Sequence, residues 1–134
     1  MDNAIKSAFN TGMFAITLLV KNMSETMDFY GTKLGLDLVY SDANSALYRV
    51  GSTFINLLIE SEGPELLRPA GVGNPSVGVS AVYTIKHTDV DLVAKQLESA
   101  GVALLNGPID RPWGVRTLSF QDPSGHTWEV ANHN

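Results

Sequence analysis

Residues Phe14 to Val20 (FAITLLV) form an unbroken apolar, β-branched run that stops at polar Lys21 and Asn22, which predicts a strand covered on both faces. The period then changes from two to 3.6. Ser24 offers a hydroxyl cap, Glu25 and Asp28 fall in the first turn, and Met27, Tyr30 and Leu34 recur at helical spacing before Gly35, so a helix is expected here. Three short alternating runs follow, Leu36 to Tyr40, Ala46 to Val50 and Thr53 to Ile59, divided by the turn-prone stretches Ser41 to Asn44 and Gly51-Ser52. They predict an antiparallel meander.

Residues 61–76 hold Gly63, Pro64, Pro69, Gly71, Gly73 and Pro75, which reads as a surface crossover with a short helical turn near Glu65 to Arg68. After it the order of elements returns: a strand from Val77 to Ile85, then Thr88-x-x-Asp91 resembling a capping box, a helix with Val90, Val93, Ala94 and Leu97 on one face, and Gly101 at its end. Three more strands are expected near Val102 to Leu105, Val115 to Gln121 and Thr127 to Ala131. Val20 matches Ile85 at a separation of 65 residues and Gly35 matches Gly101 at 66, so one βαβββ unit is used twice. The longer second copy places an insert at Pro108 to Gly114, expected as a loop carrying Trp113.

The fold class is therefore α+β, with two βαβββ modules forming a cup-shaped mixed sheet in a single domain: module one at about 13–60, a linker at 61–76 and module two at about 77–132. With 134 residues the chain buries roughly 68% of its unfolded surface, so neither disulfide nor metal is needed for folding. Fourteen acidic against nine basic residues give a net charge of −5, the wrong sign for phosphate backbones or anionic lipid, so neither nucleic acid nor membrane is an expected partner. The absence of cysteine excludes thiol chemistry. No apolar run is long enough to cross a bilayer and no secretory leader opens the sequence, which reads as a cytoplasmic protein. A charged fraction of only 17% against 44% hydrophobic residues leaves apolar surface for a ligand or a second subunit, and a homodimer, with modules exchanged or not, is expected. Ala4, Ile5, Ala8 and Phe9 give residues 1–12 a near-helical spacing that suits either packing on that partner or a frayed tail.

Side chains alternate across a strand, so assigning the largest apolar residues to the core leaves a second set facing the hollow between the modules. Ile16, Leu18 and Val20 suit the core, leaving Ala15, Thr17 and Leu19; Ile55, Leu57 and Ile59 leave Phe54, Asn56 and Leu58; Trp128 and Val130 leave Thr127, Glu129 and Ala131. On the fifth strand the 65-residue offset puts Ser80 where Ala15 stands. Phe29 and Tyr30 are core-filling. Tyr48 and Phe54 are candidates for an aromatic cavity wall, and Trp113 suits stacking on a planar ligand or a subunit contact. Glu129 has three readings: a structural acceptor paired with a cation such as Arg116, a ligand-binding group, or a catalytic carboxylate with a raised pKa.

The run Leu18-Leu19-Val20 with Asn22-Met23, Thr26-Met27, Phe29-Tyr30 and Leu34-Gly35-Leu36, together with Asp122-Pro-Ser-Gly-His-Thr-Trp-Glu129, resembles the vicinal oxygen chelate superfamily of glyoxalase I, bleomycin-resistance proteins and extradiol dioxygenases. The stretch Pro112-Trp113-Gly114-Val-Arg116 resembles its bleomycin-resistance-like and glyoxalase-like branches. In metal-using members the ion is held by one residue from each of four strands, and the resemblance carries those places to Ala15, Asn56, Ser80 and Glu129. Only Glu129 is a strong donor, and His87, His126 and His133 read as turn or tail histidines. The expectation is a metal-free protein that binds a small apolar or aromatic ligand through Asn56, Trp113, Arg116, Phe54, Tyr48 and Ser80, with Glu129 as the candidate catalytic group. The alternative implied by the resemblance is a lyase, isomerase or dioxygenase that uses a divalent metal.

Overall fold

The computed structural model describes residues 3–133. Its eight strands make two four-stranded sheets of the same topology. In the first, β1 (Ala15–Val20) runs parallel to β4 (Thr53–Ile59), which pairs antiparallel with β3 (Ser45–Val50) and through it with β2 (Leu38–Ser41). In the second, β5 (Val82–Lys86) runs parallel to β8 (Thr127–Ala131), followed by β7 (Arg116–Gln121) and β6 (Leu104–Asp110). The four α-helices are α1 (Ala4–Asn10), α2 (Met23–Met27), α3 (Gly63–Leu67) and α4 (Val90–Ser99). None is long and apolar enough to cross a membrane among the described residues. The twofold βαβββ pattern is thus present.

Both crossover helices start one or two residues away from the expected cap. Asn22, not Ser24, caps α2: its Oδ1 accepts the Glu25 N–H at 3.0 Å, and the Ser24 hydroxyl donates to the same oxygen at 3.1 Å. Asp89, not Thr88, caps α4 by accepting the Leu92 N–H at 3.0 Å. In each case the short side chain directly before the helix reaches the third N–H, whereas Ser24 lies inside the first turn and Thr88 one residue outside the cap. Beyond α2 the helix widens into a π turn over Asp28–Lys33, in which the Leu34 N–H donates to the Phe29 carbonyl at 2.9 Å.

Two strand boundaries differ most from expectation, while others move by one or two residues, as where β2 starts at Leu38 rather than Leu36. The fifth strand begins at Val82 rather than Val77, because Pro75–Val77 forms a 3₁₀ turn and Gly78 takes φ +120°, a conformation that no extended strand residue adopts. In β6 the register slips between Leu104 and Asn106 and again before Ile109, and these irregularities carry the strand on to Asp110. The expected Pro108 to Gly114 loop shrinks to a tight turn, closed by the Arg111 N–H donating to the Val115 carbonyl at 2.7 Å.

Alternation sorts the faces as the sequence implies: Leu18, Val20, Ile55, Leu57, Trp128 and Val130 are all buried. These residues of both sheets belong to one core rather than two. The helix of module one lies between the sheets. The Tyr30 ring stands 6.2 Å from Tyr48 of the first sheet and 6.2 Å from Trp128 of the second, and Phe29 lies 6.2 Å from Phe120. Tyr48 is therefore core and not cavity wall: it pairs with Ile55 on the covered face, is 2% exposed, and donates its hydroxyl to the Met27 carbonyl at 3.2 Å. Polar contacts complete the junction. Tyr30 donates to Asp122 Oδ2 at 2.6 Å and accepts from Trp128 Nε1 at 3.0 Å, while His126 Nε2 donates to the Leu19 carbonyl at 2.8 Å and the Lys21 N–H to Ser124 Oγ at 3.2 Å.

Candidate functional site

Because one core occupies the helix-facing side of both sheets, chemistry is available on their opposite faces. On the first sheet the register aligns Thr17, Asn56, Leu47 and Tyr40 in a row across the strands, with Ala15, Phe54 and Arg49 in the next row. Phe54 packs against Phe14 with ring centroids 5.2 Å apart and carries the Arg49 guanidinium 5.0 Å above its ring. Asn56 Nδ2 makes only a long, 3.5 Å contact with Thr17 Oγ1, which leaves the amide free to bond elsewhere.

The second sheet repeats the arrangement with a stronger polar set. Thr84, Glu129, Ser119 and Asn106 form the equivalent row, and Thr84 Oγ1 donates to Glu129 Oε1 at 3.0 Å. Glu129 is only partly buried. Arg111 reaches over the same face, its Nε donating to Thr117 Oγ1 at 2.9 Å and its Nη2 to Asn106 Oδ1 at 2.7 Å. With strands about 4.8 Å apart, the Asn106 anchor stands two spacings, roughly 10 Å, from Glu129. Trp113, 68% exposed at the tip of the turn, lies with its ring 5.9 Å from the Arg111 guanidinium. Sequence reasoning missed Arg111 and Thr84. Thr84 was legible by alternation once the strand began at Val82, whereas the irregular β6 that brings Asn106 to Arg111 has no periodic signal.

Besides Tyr48, which is core, two expected site residues lie elsewhere. Arg116 sits on the core-side parity of β7 with Leu118 and Phe120, and its guanidinium clamps Asp91 of α4 with bonds of 2.9 and 3.0 Å and Asp110 with one of 3.1 Å. It does not meet Glu129. The hydrogen bonds to Asp91 and Asp110 raise the Arg116 pKa further, and the same guanidinium holds the Asp91 carboxyl below the usual carboxylate range. Ser80 precedes β5, so the counterpart of Ala15, paired with Phe54, is Val82, paired with Thr127. Of the histidines, His87 Nδ1 accepts the Asp89 N–H at 2.9 Å, His126 joins the modules, and His133 is exposed.

The donors do not fit a divalent ion. Ala15 and Val82 supply none, Asn56 an amide and Glu129 one carboxylate, flanked by the neutral hydroxyls of Thr17 and Thr84, whereas zinc or nickel sites want imidazole or thiolate and magnesium several charged oxygens. Among the described residues no cluster of three or more His, Cys, Asp or Glu stands ready to hold a metal. Two cavities flank the junction: one of about 350 Å³ on the helix side, and one of about 470 Å³ bordered by Thr17, Lys21, Glu60, Tyr83 and His126. Neither is lined by Asn56 or Glu129.

A sequence profile of the Glyoxalase/Bleomycin resistance protein/Dioxygenase superfamily matches residues 12–130, nearly the whole of both modules. The chain belongs to this superfamily. It is 30% identical over 125 residues to the uncharacterized protein YraH of Bacillus subtilis (strain 168), an alignment covering 88% of this chain and 95% of that protein. A glyoxalase/bleomycin resistance protein/dioxygenase from Nocardioides shares the fold at a TM-score of 0.80 and 21% identity, with 97% of this chain and 93% of that one covered. A lactoylglutathione lyase from Agrobacterium tumefaciens does so at 0.72 and 17% identity, with 91% and 93% covered. At these identities the two structures speak for the superfamily fold alone.

Proposed function

We propose that this superfamily member binds a small, planar, partly apolar organic molecule on the open sheet faces and does so without a resident metal. The observation that carries the reading is the donor set: Ala15, Asn56, Val82 and Glu129 stand on the two parallel strand pairs, with only one charged group among them. Around it are groups suited to an organic ligand. Phe54 and Leu47 offer apolar wall, Asn56 a free amide, Glu129 an acceptor, Arg111 a braced cation and Trp113 an exposed indole for stacking. A homodimer fits the same reading, because neither of the two cavities of one chain is lined by Asn56 or Glu129, and a hollow walled by both calls for a second copy. The competing reading, a metal-dependent lyase, isomerase or dioxygenase, carries its own signature in the test.

Purified protein incubated with nickel, zinc or manganese and then desalted should retain only substoichiometric metal. Stoichiometric retention would overturn the metal-free reading. In a Trp128→Phe background the remaining Trp113 should show saturable quenching by naphthoate, and an unresponsive signal would count against the ligand site. Sedimentation should show a dimer, and a monomer at all concentrations would sink the shared hollow.

A further inference from the structure

The cavity of about 350 Å³ lies on the opposite side of the sheets from the face just discussed, between the end of the module-one helix, the β3–β4 turn and α4. Its walls include Leu34, Ile55, Val93, Leu97, Trp128 and Val130. The one buried hydroxyl there, on Tyr30, is already committed to Asp122 and Trp128 Nε1, so the interior presents greasy surface with no unused polar group from that residue. A dry apolar void of about 150 Å³ already suffices to bind benzene, and this one exceeds that size and opens to solvent.

The mouth is unlike the rest of the molecule. Acidic residues outnumber basic ones by fourteen to nine along the chain, yet no acidic residue lines this cavity among the described residues. Its charged members are Lys33 and Arg49. The Arg49 guanidinium lies 5.0 Å over the Phe54 ring, which draws it toward the other face of the sheet and leaves its positive charge in place. Lys33, exposed in the last turn of the helix, is the ammonium beside the opening, with the Gln96 amide also on the lining. An apolar pocket whose charged lining residues are all cations discriminates by charge: a ligand with a hydrocarbon body and an anionic head satisfies both parts, whereas a cationic head meets repulsion.

We infer that this cavity is a second ligand site, selective for small amphiphilic carboxylates of the medium-chain fatty acid class. Its reporter is built in. Trp128 lines the cavity and Trp113 does not, so Trp113→Phe, at an exposed position, isolates the signal of the cavity from that of the sheet face. Failure here and failure of the proposed sheet-face site are therefore read on different indoles.

The test titrates the Trp113→Phe protein with octanoate, octylammonium and octanol while following Trp128 emission. Octanoate should give a saturable change, tighter than octylammonium by about tenfold or more, with octanol between them. Lys33→Glu should weaken octanoate by about tenfold and bring octylammonium level with it or ahead. Lys33→Gln, which removes the charge without reversing it, should leave octanol unchanged and bring octanoate down toward it. A flat response to all three compounds, or equal binding of all three that Lys33→Glu leaves unaltered, would overturn the inference.

Discussion

Replacing Tyr30 with phenylalanine deletes a single oxygen in the buried polar network that the two modules share. That oxygen donates to the Asp122 carboxylate at 2.6 Å and accepts from Trp128 Nε1 at 3.0 Å, and Tyr30 is fully buried. Losing a hydrogen bond to a charged group accounts for about 1.5–3 kcal/mol, and leaving the buried indole N–H without a partner for about 1–3 kcal/mol. Because both terms run through one atom they do not simply add, and the combined expectation is about 3 kcal/mol. For a domain of this size that lowers Tm by about 12 °C. Urea unfolding should show a lower midpoint with an unchanged m-value, since the surface buried on folding stays the same.

The same substitution has a pH signature that simple loss of packing lacks. Burial, and then the negative charge of Asp122, push the Tyr30 pKa far above its ordinary value, so the folded chain keeps a proton that the unfolded chain releases above about pH 10. A group whose folded pKa is raised contributes stability below its unfolded pKa and loses that contribution as pH climbs beyond it. The native protein should therefore weaken steeply above pH 10. Tyr30→Phe should weaken less steeply, keeping the slope from Tyr48 and Tyr83, whose pKa values burial also raises, and from Tyr40, whose pKa its hydrogen bond to Asp42 raises. A variant within about 0.5 kcal/mol of the native protein at pH 7, or one with an identical alkaline slope, would refute this account of the junction.

Asp91→Asn tests the clamp on α4: the Asp91 carboxyl is held low by Arg116, so its contribution is present above the ordinary carboxylate range and lost as pH falls through the lower folded value. Urea midpoints of variant and native protein should differ slightly at pH 7 and converge at strongly acid pH; a constant gap would argue against the linkage. Gly107→Ala should cost about 2 kcal/mol or more by thermal melting, because φ is +88° and a new Cβ would stand 2.7 Å from Leu118 Cα. Gly12→Ala, with a similar φ of +81° and open space around it, should cost about 1 kcal/mol, and equal losses would show that the close approach at Gly107 is immaterial. Arg111→Met should abolish naphthoate quenching of Trp113 while leaving octanoate binding at Trp128 intact; loss of both would mean that the two sites are not separate.

The architecture was legible where hydrophobic period dominates. β4 and β8 run over the expected residues, and the buried Leu18, Val20, Ile55 and Leu57 of β1 and β4 follow from alternation, whereas in β8 Thr127 and Ala131 of the opposite parity are buried as well as Trp128 and Val130. Legibility failed where the deciding interaction is not periodic. Tyr48 and Phe54 both look amphipathic in sequence, and only the pairing of Tyr48 with Ile55 and the Met27 carbonyl sends one inward and leaves the other outside. Arg116 and Arg111 lie five residues apart, and their exchange of roles depends on slips in β6 that bring Asn106 under one arginine and Asp110 beside the other. Ser80 was misplaced by the 65-residue offset, while the strands themselves align Thr17 with Thr84.

The helix lodged between the sheets has a consequence for the autonomy of the halves. Each repeat relies on the other for part of its cover: Phe29 and Tyr30 of the first pack on Phe120 and Trp128 of the second, while within their own halves Tyr30 meets only Tyr48 and Phe29, and Trp128 meets Tyr83, among the ring contacts. Nicking the backbone in the proline-rich crossover should thus yield two fragments that stay soluble only in each other's company and re-form the native particle when mixed, a latent split protein inside an ordinary one.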